Sequence, residues 1–156
     1  MNFSLVAIGR DVKSFPYLFK ICNVLSSLGK VEYVFWDRTP EVKNTTDLDY
    51  ISYKSILNFN PKGRLGLLSG YFGWFFKVLA FMLFSSKKDT LYFASRLDSA
   101  AAMYLASKFR RSIKYIYLDR DAYFMTYNFG PFQNFVKWIE LVVSRNAQLH
   151  FIPGES

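Results

Sequence analysis

Three short polar clusters interrupt an otherwise apolar chain, and each holds residue types that can handle a substrate. Asp119 and Asp121 flank Arg120. A carboxylate beside a guanidinium stays ionised, which suits it to accept a hydroxyl hydrogen bond or to act as a base. The plainer role for the pair is to cap the next segment and to balance Arg120. Ser95, Arg96 and Asp98 form the second cluster, an alcohol, a guanidinium and a carboxylate within four positions. Asp98 equally suits a helix cap over Ser99, Ala100 and Ala101. Gly9, Arg10 and Asp11 are the third. A glycine and an arginine after an apolar run can hold a phosphate at a helix start, or can make an ordinary tight turn. The G-x-G-x-x-G and Walker lysine patterns are absent, which argues against NAD, FAD and P-loop ATP binding. His150, between Leu149 and Phe151, reads as a packed core histidine, and Cys22 reads as buried and inert. A single histidine and a single cysteine in 156 residues exclude a two-histidine zinc site, a multi-cysteine metal site and an internal disulfide. No metal is expected.

The segments around these clusters must position them. Phe3 to Ile8 is a continuous apolar run closed by Gly9, the pattern of a strand buried on both faces. Ser14 is placed to cap a helix with Pro16 in its first turn, whose apolar residues Tyr17, Leu18, Ile21, Val24, Leu25 and Leu28 keep helical spacing until Gly29. Val31 to Trp36 reads as the second strand, and Ile51 to Tyr53 as a short third one after a polar loop from Thr39 to Asp49. An apolar helix is expected from Leu65 to Ser86, a strand over Leu91–Ala94, a helix from Ser99 to Arg111 and a strand over Ile113–Leu118. After Gly130-Pro131, a helix from Phe132 to Arg145 repeats apolar residues at Phe132, Phe135, Val136, Ile139, Val142 and Val143, and Leu149 to Ile152 is a sixth strand. Strands alternating with helices predict an α/β fold, a Rossmann-like doubly wound and mainly parallel sheet of about six strands. In such sheets ligands sit beyond the C-terminal ends of the strands, where all three clusters fall.

Charge and hydropathy single out one region. Twenty Lys and Arg against twelve Asp and Glu leave a net charge of +8. Ten of the basic residues lie between Lys62 and Lys114 with only Asp89 and Asp98 opposing them, so this window alone accounts for the excess. It contains the least polar stretch, whose only charge is Lys77 and whose ends carry Arg64, Lys87 and Lys88. Gly66, Gly70, Gly73, Lys77 and Ala80 share one helical face, and bulky residues such as Trp74 fill most of the rest. A helix with no polar side must be enclosed by protein or touch lipid. Spanning a bilayer would split the sheet between its third and fourth strands and is rejected. Lying in an anionic interface, with Lys77, Lys87, Lys88 and Trp74 at the membrane surface, keeps the sheet whole, as does burial against it. The N-terminus, an apolar strand with no basic start, does not read as a secretory signal, so a cytoplasmic location is expected. Aromatics interleave with the basic run Lys108, Arg110, Arg111 and Lys114 only at Phe109 and Tyr115, which is weak support for nucleic-acid binding.

Tyr92-Phe93-Ala94-Ser95-Arg96-Leu97-Asp98-Ser99-Ala100 resembles the I-H-A-H-D-L-D-S-A stretch of family 4-type glycosyltransferases of the GT-B fold. Tyr117-Leu118-Asp119-Arg120-Asp121-Ala122-Tyr123 is similar to that family's V-Y-D-x-H-D-x-Y, and Trp138-Ile139-Glu140 with Asn146 to Pro153 to its last helix and strand. The chain departs from the family at Phe93 and Ser95, which replace histidines, and at Arg96, which replaces an aspartate. The resemblance implies one N-terminal Rossmann-like domain over residues 1–156, the acceptor-binding half of an enzyme whose C-terminal donor-binding domain is absent from this chain. The implied activity is hexosyl transfer from a nucleotide sugar to a polysaccharide or lipid-linked acceptor, without metal, on the inner face of the plasma membrane. The chain alone is expected to be inactive. Asp98 and Asp121 are the implied acceptor-binding residues, followed by Ser95 and Arg96, with Gly9 and Arg10 as a phosphate loop. The competing readings are a non-catalytic Rossmann-like subunit and a nucleic-acid-binding domain.

Overall fold

Continuous apolar runs leave a strand no solvent-facing side, so the central strands pack between two layers. The computed structural model describes residues 1–38, 48–119 and 129–151. The strands β1 (Asn2–Ile8), β2 (Lys30–Asp37), β3 (Ile51–Asn58), β4 (Thr90–Ala94), β5 (Lys114–Leu118) and β6 (Leu149–Phe151) form one sheet in the order β3-β2-β1-β4-β5-β6. Every neighbouring pair is parallel. The chain is thus an α/β domain of the doubly wound, Rossmann-like type, with its strand order reversing between β1 and β4.

Side chains alternate between the two faces. Phe3, Leu5, Ala7, Tyr33 and Phe35 pack with Leu18, Cys22 and Leu25 of α1 (Pro16–Leu28). On the other face Val6, Ile8, Val34, Trp36, Tyr92, Tyr115 and Tyr117 meet α2 (Gly63–Ala80), α3 (Leu97–Phe109) and α4 (Gln133–Asn146). One face therefore carries a single described helix and the other carries three.

Several boundaries differ from the sequence reading, each for a local reason. β3 runs eight residues, to Asn58, although Lys54 and Ser55 are exposed. It is an edge strand, so only its inner residues need be apolar, and a register shift opposite Phe35 and Trp36 breaks the alternation. The cap position of α1 is Phe15 rather than Ser14. Ser14 belongs to a short 3-10 turn, Val12–Ser14, and its hydroxyl donates to Asp11 at 2.6 Å. Asp98 is not the cap of α3 but its second residue; Arg96 stands at the cap. α4 starts at Gln133, after a 3-10 turn that ends with Phe132; its inward residues include Val136, Ile139, Glu140 and Val143, whereas Phe132 and Phe135 face outward.

Shape explains how α2 is seated. A side chain at Gly70 would come within 2.6 Å of Trp36 Cζ2, so only a glycine lets the helix close onto that ring. Trp74 stacks on Trp36 with centroids 6.5 Å apart, and its Nε1 donates to Ser99 Oγ of α3 at 3.0 Å. Arg110, just past α3, donates to the carbonyl of Leu83 at 2.6 Å, pinning the wider turn Phe81–Ser85 that ends this segment.

Candidate functional site

Folds of this type hold ligands in a crevice at the C-terminal edge of the sheet, where the strand order reverses, here between β1 and β4. The structure brings two of the three polar clusters there. Gly9 follows β1, Ser95 and Arg96 follow β4, and the Ser95 amide donates to the carbonyl of Val6 at 3.2 Å, joining the two strand ends. Asp121 and Arg120 lie outside the described residues, so the third cluster is represented by Asp119 alone.

The loop after β1 differs from a phosphate loop. Gly9 has φ +102°, a left-handed backbone that favours glycine. Its amide donates to the Trp36 carbonyl at 3.0 Å and its carbonyl accepts from Tyr33 Oη at 2.9 Å, so both polar groups of Gly9 serve the fold. Burial pushes the Tyr33 phenol far above its ordinary range, with Cys22 the next contributor, and keeps it a donor to Gly9. The 3-10 turn separates Gly9 from α1, and Pro16 at the helix start removes one of the amides that would face an anion. Gly9 as a phosphate ligand is corrected on these grounds; Arg10 sits half-buried beside it.

Of the three residues expected to meet an acceptor after β4, Ser95 is turned toward the sheet, whereas Arg96 and Asp98 are only half-buried. Ser95 is buried, and its hydroxyl donates to the Val6 carbonyl at 3.1 Å, so it faces the sheet rather than a substrate. A small residue is needed where β4 passes β1, and a buried hydroxyl there finds its partner in the neighbouring backbone. Asp98 remains at the crevice. Its Oδ1 accepts from the Ser99 amide at 2.6 Å and from Ser99 Oγ at 3.2 Å, while Oδ2 meets Arg96 Nε at 3.3 Å. Ser99 Oγ also accepts from Trp74, so a polar chain runs from the α2 core to the crevice.

Arg96 also lies over the ring of Tyr71, 5.3 Å from its centroid, and Arg38 lies over the same ring at 5.7 Å and over Trp36 at 4.8 Å. The ends of β2 and β4 thus share one aromatic rest supplied by α2. The sequence reading did not single out Tyr71. The missing signal is tertiary: these residues are far apart in the chain.

His150 departs most from expectation. It is half-buried, stacks on Tyr117 with centroids 5.0 Å apart and rings tilted by 2°, and its Nε2 lies 3.4 Å from Asp119 Oδ2. The register that pairs Tyr117 with His150 creates this contact, which the apolar run around His150 gave no reason to expect. An aspartate–imidazole pair at two adjacent strand ends can orient a hydroxyl or move a proton.

The surface residues divide. Lys77, Lys87 and Lys88 are exposed. Trp74 is 0% exposed and hydrogen-bonded inside the core, so its assignment to a membrane surface is corrected: it faces the sheet, because Gly70 beside it opens the space. Other residues take the outward role. Leu65 (83% exposed), Leu68 (56%), Phe72 (65%) and Phe76 (61%) lie at helical spacing along the outer side of α2, continued by Phe84. The segment Gly63–Ser85 is long and apolar enough to cross a membrane, yet only 28% of its most apolar window is buried. Pairing of β1 with both β2 and β4 holds the strands before and after it in one sheet.

No protein-family model matches the chain, and no curated protein matches it. What the fold defines is a doubly wound, Rossmann-like domain whose strand ends at the reversal point carry Arg38 and Arg96. Among the described residues no group of three or more His, Cys, Asp or Glu is placed to hold a metal ion.

Proposed function

We propose that the chain is the acceptor-binding, Rossmann-like half of a glycosyltransferase. It transfers a hexosyl group from a nucleotide sugar to a lipid-linked or polysaccharide acceptor on the cytoplasmic face of the membrane. The observation that carries this reading is the double use of α2. Its inner side supplies Tyr71 to the crevice, while its outer side leaves Leu65, Leu68, Phe72 and Phe76 exposed between Arg64 and the Lys87-Lys88 pair. A crevice lined by a helix that seeks an apolar phase suits a substrate whose polar head must be worked on while its tail stays in lipid. Asp98 fits the acceptor side, because an ionised carboxylate oriented by Ser99 and Arg96 can accept from a sugar hydroxyl. The Asp119–His150 pair stands at the next strand ends of the same edge. In this reading the donor's nucleotide is held by a second domain, the chain alone does not turn over, and no metal is required.

Two measurements test the two parts. The chain is floated with phosphatidylcholine vesicles and with vesicles containing phosphatidylglycerol; selective recovery with the anionic vesicles is expected, and equal recovery with both overturns interfacial docking. The product of the whole gene is then incubated with membranes and labelled nucleotide sugars. Label entering a lipid or polysaccharide fraction, reduced at least tenfold by Asp98→Asn, is expected; no transfer from any nucleotide sugar overturns the enzymatic part.

A further inference from the structure

We propose that a cavity at the N-terminal edge of the sheet, opposite the crevice, binds the phosphate ester of a small polyol, free or as the head group of a lipid. The lipid source rests on the membrane reading above; the site itself does not.

The cavity measures about 220 Å³ and lies between the starts of the strands and the segment that ends α2. Drug-sized ligands occupy about 300–1,000 Å³, so this space suits a smaller molecule. Register assembles its polar lining. Asn2 of β1 pairs with Lys30 of β2 on one side and with Thr90 of β4 on the other, and Glu32 of β2 pairs with Ser52 of β3. Residues two apart on a strand share a face, so these side chains form two adjacent rows on the side that α2 covers. The next rows of that face hold Val6, Val34 and Trp36, which belong to the core. The face thus changes from apolar to polar on four neighbouring strands where the cavity lies. Ser85 and Lys87 supply the facing wall. That wall is tied to β4, because the Lys87 amide donates to Tyr92 Oη at 2.7 Å and its carbonyl accepts from the Thr90 amide at 3.4 Å.

Charge sets the chemistry of the ligand. Lys30 and Lys87 are exposed and Glu32 is half-buried, and none of the three side chains makes a hydrogen bond or ion pair among the described residues. Two ammonium groups and one carboxylate leave the cavity with an excess of one positive charge. An ammonium holds a phosphate as a point charge. A carboxylate repels phosphate but accepts from hydroxyls, and Ser52 beside it adds a hydroxyl of its own. The ligand therefore carries an anion at one end and hydroxyls at the other. Bare phosphate satisfies only the lysines, and a neutral polyol only Glu32 and Ser52. A phosphodiester of glycerol, with one negative charge, balances the excess. Its lipid form also has a place for its tails: Ser85 follows Phe84, which is 84% exposed and continues the outer stripe of α2.

The test titrates the 156-residue chain with glycerophosphoglycerol at low salt in a calorimeter. Saturable binding at least tenfold tighter than that of inorganic phosphate is expected. Lys30→Gln and Lys87→Gln should each weaken it at least fivefold, and Glu32→Gln should remove the preference over inorganic phosphate. Lys20→Gln, on the other face of the sheet, should change nothing. Circular dichroism confirms that each variant remains folded. No saturable binding to the wild type, or equal loss in Lys20→Gln, overturns the site. Equal affinity for inorganic phosphate, or tighter binding of glycerophosphoethanolamine, overturns the polyol assignment. Vesicles of phosphatidylglycerol and of phosphatidylserine, matched in surface charge, separate the two sources. Preference for phosphatidylglycerol, lost in Glu32→Gln, is expected. Binding of glycerophosphoglycerol without that preference overturns the lipid source and leaves the cavity site standing. Absence of all vesicle binding, with glycerophosphoglycerol still bound, overturns the membrane reading rather than the site.

Discussion

The helices α1 and α2 cover opposite faces of the same half of the sheet and solve the burial problem differently. α1 buries Leu18, Cys22 and Leu25, a stripe at spacings of four and three, and exposes Lys20, Asn23 and Ser27. Its polar residues mark the outer side, although Val24 and Leu28, expected in the apolar stripe, are exposed beside them. α2 has apolar residues all round, so pattern cannot choose its inner side. Shape chooses instead: Gly70 admits Trp36, and Trp74 and Val78 fill the space beside it. The large residues left over then face outward. Hydropathy therefore says whether a helix can be buried, while complementary volume decides which side is.

Because Trp74 and Phe72 are aromatic neighbours on one helix with opposite surroundings, their truncation is the hardest test of that contrast. Trp74→Ala should destabilise the fold by about 3–5 kcal/mol in urea unfolding, as a fully buried tryptophan loses its contacts, whereas Phe72→Ala should change stability by less than about 1 kcal/mol. Similar losses from both would mean that α2 is enclosed on all sides. Next in size, Gly70→Ala should cost about 1–3 kcal/mol through the clash with Trp36. A neutral result would show that the close approach does not set the seat of α2. Smaller again is Phe72→Ser combined with Phe76→Ser, for which unfolding should hardly change while recovery with anionic vesicles falls by about tenfold, since each ring can contribute about 1.5–3 kcal/mol when fully buried in an apolar phase. Unchanged flotation would break the link between the exposed stripe and lipid.

The smallest effect belongs to α1. Burial pushes the Cys22 thiol from its ordinary 9.0 up to about 12. A group with a raised folded value contributes stability that is complete below its unfolded value and is lost as pH rises through the folded one. Stability should accordingly begin to fall near pH 9, by about 1 kcal/mol over the first unit, and Cys22→Ala should remove that part of the slope. Above pH 10 the buried Tyr33 and Tyr115 phenols, both raised by burial, add to the decline. An identical slope in the alanine variant would place Cys22 in contact with water.

Much of the architecture was legible because it is written locally. Phe3 to Ile8 and Val31 to Trp36 read as buried strands because burial on both faces leaves no polar alternation, and β1 and β2 occupy those positions with one or two residues added. β3 was read at less than half its length because an edge strand tolerates Lys54 and Ser55 on its open side. Of the crevice, Arg96 and Asp98 were legible from their place after a strand. Ser95 was misjudged because its hydroxyl partner, the Val6 carbonyl, is remote in sequence, and Gly9 because Tyr33 and Trp36 claim its backbone. Tyr71 and the Asp119–His150 contact were not legible at all.

From its order of residues alone, this protein was bound to form a parallel α/β sheet with a basic, apolar helix across its middle, since strand and helix periodicity and the ten basic residues of one window are local properties. Packing decided that Trp74 turns in and Phe72 turns out, that Arg38 and Arg96 share the ring of Tyr71, and that His150 meets Asp119. Those outcomes depend on how volumes from remote segments fit together, and no spacing along one segment encodes them.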